Sequence, residues 1–112
     1  MAFREKDYIK RQLAELARVI AHALGLKAAG RPEEARAALA QGAAGPLGVS
    51  YATLGAVDVQ TAAGILRTRD AAEGYAQLLE CEATIEEEAG DVARAASLRA
   101  RAAALRNVEP AS

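Results

Sequence analysis

Residues 7–29 read DYIKRQLAELARVIAHALGLKAA, and they decide the fold class. Ile9, Leu13, Leu16, Ile20, Ala23 and Leu24 recur at helical spacing and form one apolar stripe. Tyr8, Val19 and Leu26 widen it beyond a two-position seam. A face that broad needs partners on more than one side, so this stretch is expected to be a central rod. Asp7 is the expected N-cap, preceded by a polar lead-in over residues 1–6. Gly25 interrupts the pattern at about 1 kcal/mol relative to alanine. It marks a close approach or a bend, or else a glycine tolerated near a helix end.

Working outward, Gly30 ends the rod and Arg31-Pro32-Glu33-Glu34 opens a second helix. Proline suits the first turn, where its missing N–H is not needed. The two glutamates suit the positive end of the helix dipole. This helix is expected to run to about Gln41, with Ala35, Ala38 and Leu39 facing inward, completing a first antiparallel hairpin over 7–41. GAAGPLG, residues 42–48, places three glycines and a proline in seven residues, which predicts a break.

Residues 49–57 mix strand and helix character. A short helix capped by Ser50 and ending at Gly55 is preferred, because a lone strand has nothing to pair with. Asp58 caps a further short helix over 59–67, burying Val59, Ala62, Ala63, Ile65 and Leu66 in some combination. Thr68-Arg69-Asp70 is the next joint. A long helix over 71–89 carries Ala71, Tyr75, Leu78, Leu79, Ile85 and Ala89 as its stripe, broken by Glu82. Gly90-Asp91 stops it and caps a last helix over 92–107, which buries Val92, Ala95, Leu98, Ala102 and Leu105. Residues 70–107 make a second hairpin, and 108–112 a tail. The expected fold class is all-α: one domain of two antiparallel helical hairpins, with one or two short helices inserted over 42–69.

Composition narrows the function classes. At 112 residues the chain is 52% apolar but only 4% aromatic, and alanine is its commonest residue. Alanine forms helix readily and brings little bulk, so a thin core between closely approaching helices follows. Fourteen Lys+Arg against fifteen Asp+Glu leave a net charge of -1. That balance argues against nucleic acid as a partner. A lone cysteine, Cys81, excludes an intrachain disulfide and, with the charged start MAFREKDYIKRQ, fits a reducing cytoplasm. Arg18 and His22 interrupt the first apolar tract, far short of the ~18 apolar residues of a membrane span, so no membrane partner is expected.

Two segments echo each other: LARVIAHALGLKAAGRPEEARAAL, residues 16–39, and LLECEATIEEEAGDVARAASLRARAAAL, residues 78–105. Each is a helix, then Ala-Gly and a polar residue, then a helix with alanine five positions after the glycine, Ala35 and Ala95. This resembles the turn of tetratricopeptide helical hairpins, whose contiguous repeats span about 34 residues. The two echoes lie too far apart for that array, which implies a tetratricopeptide-like pair of hairpins around an irregular helical insert. Over nearly its whole length the chain also resembles a family of small bacterial all-helical proteins of unknown function. The carriers are DYIKRQLAELARVIAHALGLKAAGRPEEA, residues 7–35, and EAGDVARAASLRARAAAL, residues 88–105. The resemblance implies the helical fold and transfers no catalytic residue. The chain departs from it across 42–48, where glycine and alanine stand in place of larger apolar residues.

Candidate chemistry is sparse. His22 is the only histidine, and no ligand set surrounds it in sequence, so a structural or surface role is expected. Cys81 lies between Glu80 and Glu82, which disfavours a reactive thiolate. Glu82 and Glu86, with Glu80, Glu87 and Glu88, form the densest acidic patch. No Glu-x-x-His pattern accompanies them, which excludes a di-metal bundle. The run reads as a solvated face. Alternatively it meets the arginine-rich last helix or the basic start (Arg4, Lys6, Lys10, Arg11), within the fold or across a dimer. No phosphate loop or nucleophilic triad is present, and no cofactor, metal or catalysis is expected.

The expected function is therefore protein–protein interaction or self-association, as an adaptor or scaffold. A partner helix or extended peptide would dock in a groove, with a homodimer as corollary. Tyr8, Tyr51 and Tyr75 are the candidate contact residues, alongside Glu82 and Glu86. The competing class is a small-ligand-binding bundle, with a pocket lined by the Gly-rich insert, His22 and Tyr51.

Overall fold

The computed structural model describes residues 2–108, including the side chains of 8 and 10–108. Among these residues every regular element is α-helical: α1 Ala2–Ala28, α2 Pro32–Leu47, α3 Tyr51–Gly55, α4 Val59–Leu66, α5 Arg69–Glu88 and α6 Val92–Asn107. The proposed core role of Ile9, the contribution of Arg4 and Lys6 to a basic patch, and the tail beyond Val108 lie outside the described residues.

The two Ala-Gly turns use one device twice. Gly30 and Gly90 take left-handed backbone, at φ 76° and 95°. The Arg31 N–H then donates to the Leu26 carbonyl at 3.0 Å, and the Asp91 N–H to the Glu86 carbonyl at 2.8 Å. Each bond caps a terminal carbonyl that the helix itself leaves open. The alanines five positions on, Ala35 and Ala95, are fully buried, so the second helix of each pair closes tightly on the first. Helix α1 packs along α2, and α5 along α6.

The central rod is α5, not α1. Helix α5 meets α1, α2, α4 and α6. Tyr75, Ala76, Leu79 and Ala83 on one side join a core with Leu54, Ala62, Leu98 and Leu105. Leu78, Cys81 and Ile85 on the other join Leu16, Ala23, Ala35 and Leu39. The stripe of α1 is only partly covered: Leu16 and Ala23 are buried, whereas Leu13 is 37% and Tyr8 62% exposed.

Helix α2 runs to Leu47, six residues beyond Gln41, and so includes most of the predicted break. Tertiary packing outweighs local propensity there. Ala43 and Pro46 are buried. A Cβ on Gly42 would stand 2.7 Å from Cγ2 of Val19, so the glycine is what lets α2 lie against α1. Pro46 sits in the last turn, and Gly48, two residues later, caps the helix in left-handed backbone. Gly74 plays the same part between α5 and α1, its hydrogen facing Leu16 where a Cβ would come within 2.6 Å of Cδ1. Gly25 meets nothing within 4 Å, which makes it the tolerated kind.

The four helices after α2 have side-chain caps, at Ser50, Asp58 and Asp91 as expected and also at Thr68. Ser50 accepts from the Thr53 N–H, Asp58 from Thr61, Thr68 from Ala71 and Asp91 from Arg94. Each satisfies an orphan donor in a first turn. At two further points the structure departs from the pattern. Helix α1 begins at Ala2, so Asp7 lies within it; no glycine or proline precedes Gly25 to stop the helix earlier. Val92, the first residue of α6, is 63% exposed rather than buried.

Candidate functional site

Helices α2, α3, α5 and α6 enclose a cleft of about 490 Å³. Leu39, Leu79 and Leu98 give it an apolar floor. Tyr51 and Tyr75 form a wall, ring edge against ring face at 5.8 Å and 77°. Arg36, Arg94 and Arg101 stand around it.

Tyr51, Arg36, Arg94 and Arg101 are each fixed by a partner from another element. The Tyr51 hydroxyl donates to Glu82 Oε1 at 2.6 Å, and Arg94 Nη2 donates to Oε2 of the same carboxylate at 2.9 Å. Arg36 grips Glu86 in a two-pronged pair, Nε to Oε2 at 2.7 Å and Nη2 to Oε1 at 2.8 Å. Arg101 Nη2 donates to the carbonyls of Leu54 and Val57 at 2.6 and 2.8 Å, and its Nε to the Tyr75 hydroxyl at 3.2 Å. The guanidinium also lies over the Tyr75 ring, 5.8 Å from its centre. Arg101 therefore pins the α3–α4 joint to α6.

The electrostatics follow from those contacts. Burial pushes the Tyr51 phenol far above its ordinary pKa, and the Glu82 charge adds to the shift, so Tyr51 stays a donor. Arg36 and Arg94 are raised by their bonds to Glu86 and Glu82. Burial pushes the Cys81 thiol up to about 11; neighbouring Glu82 adds to this and Lys27 opposes it. Cys81 is a buried core residue.

The acidic run is not a solvated face at its centre: Glu82 is 8% and Glu86 5% exposed. Glu80, Glu82 and Glu87 meet Arg106, Arg94 and Arg99 of the last helix. Glu86 and Glu88 instead meet Arg36 and Lys27 of the first helix pair. Lys10 and Arg11 are exposed and take no part among the described residues.

Of the five sequence-nominated residues, Tyr51, Tyr75, Glu82 and Glu86 gather at or just behind the cleft. Tyr75 is fully buried and acts as wall, not open surface. Tyr8 stands apart on α1. His22 is exposed on α1 and does not line the cleft with Tyr51. Arg36 and Arg101 were not singled out by sequence. For Arg101 a signal existed: it lies three residues after Leu98 and beside Ala102, at the edge of the buried line.

No helix of the described residues is long and apolar enough to cross a membrane. No protein-family model matches the sequence, and neither a curated protein nor a solved structure matches it.

Proposed function

We propose that this chain is a protein-interaction module that associates with a second copy of itself and catalyses nothing. The observation that carries the reading is the open apolar face near the start of α1. Helix α1 has 27 residues against 16 in α2. At about 1.5 Å per residue α1 is longer than α2 by roughly 16 Å. Tyr8, and Ile65 at 40% exposure, border a shallow depression of about 870 Å³ floored by Pro46, Leu47 and Ala71. Leu13 borders an adjoining hollow that shares Leu47 and Ala71.

Single exposed apolar residues are ordinary, but three from two helices around two adjoining hollows mark an interaction face. Two-fold pairing of this face would let one stripe supply both halves of the interface. A cytoplasmic setting goes with this reading, since the single thiol has no intrachain partner.

Sedimentation velocity at micromolar concentrations tests it. A dimer is expected, and Leu13→Glu combined with Ile65→Glu should give a monomer of unchanged helicity. A monomer at every concentration, or a dimer indifferent to both substitutions, overturns the reading.

A further inference from the structure

We infer that the cleft between α2–α3 and α5–α6 binds a small amphipathic carboxylate, its apolar body on the leucine floor and its charge among the arginines. No α1 residue lines this cleft, so the inference stands or falls separately from self-association.

Both oxygens of Glu82 are occupied, by Tyr51 and Arg94. Both oxygens of Glu86 are occupied by Arg36. The guanidiniums are not saturated. Arg36 keeps Nη1, Arg94 keeps Nε and Nη1, and Arg101 keeps Nη1, with no hydrogen bond to any of these among the described residues. Arg101 alone of the three has no carboxylate as a hydrogen-bond partner, only carbonyls and a phenol, although the Asp58 charge acts on it through space. What the cleft offers an incoming molecule is donors and positive charge, and the complement of that is an anionic acceptor.

The rest of the cleft sets the body of the ligand. Leu39, Leu79 and Leu98 present aliphatic surface. The volume of about 490 Å³ lies within the range, roughly 300–1,000 Å³, of small-molecule pockets. The polar groups are held in place before any ligand arrives: Arg101 by two carbonyls, Tyr51 by Glu82 and the Tyr75 ring. Such preorganisation reduces the ordering that binding must impose.

Calorimetric titration of the full chain with octanoate, octanol and octylammonium tests the inference. Octanoate is expected to bind saturably in the millimolar range or tighter, octanol more weakly, and octylammonium not at all. Arg94→Gln should weaken octanoate by about tenfold, the weight of one charge-assisted hydrogen bond. Ala52→Phe, at an exposed position lining the cleft, should abolish binding with the helical signal unchanged. Absence of saturable octanoate binding, equal binding of octylammonium, or indifference to both substitutions overturns the inference. Displacement of octanoate by N-acetyl-Leu-Glu-Leu-amide at lower concentration also overturns it, and assigns the cleft to an acidic peptide instead.

Discussion

The Tyr51 hydroxyl donates to Glu82 Oε1 at 2.6 Å across 31 residues of sequence, joining α3 to α5. Glu82 is buried, so the loss of this donor leaves an oxygen without a partner where water has little access. Tyr51→Phe keeps the ring against Tyr75 and removes only the hydroxyl. Stability should fall by about 1–3 kcal/mol, the range for hydrogen bonds to charged groups and for stranded buried acceptors. Urea unfolding measures this, with an unchanged slope expected; an unaltered midpoint would contradict the geometry.

Gly42→Ala and Gly25→Ala should move stability in opposite directions. Both glycines are helical, but only Gly42 faces a neighbour, with Val19 Cγ2 and Cγ1 at 2.7 and 2.8 Å from an added Cβ. Valine is stiff about χ1, and rotating it exchanges one methyl for the other. Helices α1 and α2 must therefore separate, costing about 1–3 kcal/mol, more than the propensity gain of about 1 kcal/mol. Gly25→Ala has open space and should stabilise by about 0.5–1 kcal/mol. Thermal melts of the two variants beside the parent decide the matter by sign alone.

Arg106 should make part of the stability acid-sensitive. Its Nη2 reaches Glu73 Oε2 and Glu80 Oε1, both at 2.8 Å. Its hydrogen bonds hold both carboxyls below their ordinary value of 4.5. A carboxylate whose folded pKa is depressed stabilises the protein above its unfolded pKa, and that contribution is lost as pH falls through the folded pKa. These side chains are 36–47% exposed, so solvent screening keeps the effect at or below about 1 kcal/mol. Arg106→Gln should therefore lower the melting temperature at neutral pH. The gap from the parent should close as pH falls below 4.5. A gap that stays constant with pH would show that Arg106 acts through packing alone.

Cys81 should be nearly inert in the native protein. Its thiol is buried and pushed up to about 11, so little thiolate exists at neutral pH. Reaction with Ellman's reagent should run about 100-fold or more slower than for a free thiol, and reach one equivalent only in concentrated guanidinium. Rapid native labelling would place the sulfur at the surface.

Much of this architecture can be read from residues that act locally. Gly90-Asp91 is both stop and cap, and α6 begins and ends where the pattern places it, Val92–Asn107. Ser50 and Asp58 likewise announce their short helices. What is not legible depends on distant neighbours. Gly42 looks like a breaker until Val19 is known to lie over it. The breadth of the apolar stripe on α1 says that partners are needed, but not that Tyr8 and Leu13 stay exposed.

The site is hidden for the same reason. Glu82 and Glu86 lie at one-turn spacing on the flank of the line formed by Leu78, Leu79 and Ile85, which is a hint of burial. Their partners Tyr51 and Arg36 stand 31 and 50 residues away in sequence, where no periodicity can reach.

The double role of α5 has a consequence for how the molecule comes apart. The α1–α2 pair leans on one side of this rod, and α6 with the two short helices on the other, so loosening it removes the backing of both at once. A chain severed in the loop after Leu47 would leave α1 and α2 with nothing behind Ala35 and Leu39. The repeated look of the two halves is thus no licence to treat them as separable modules: a single shared melting transition is expected.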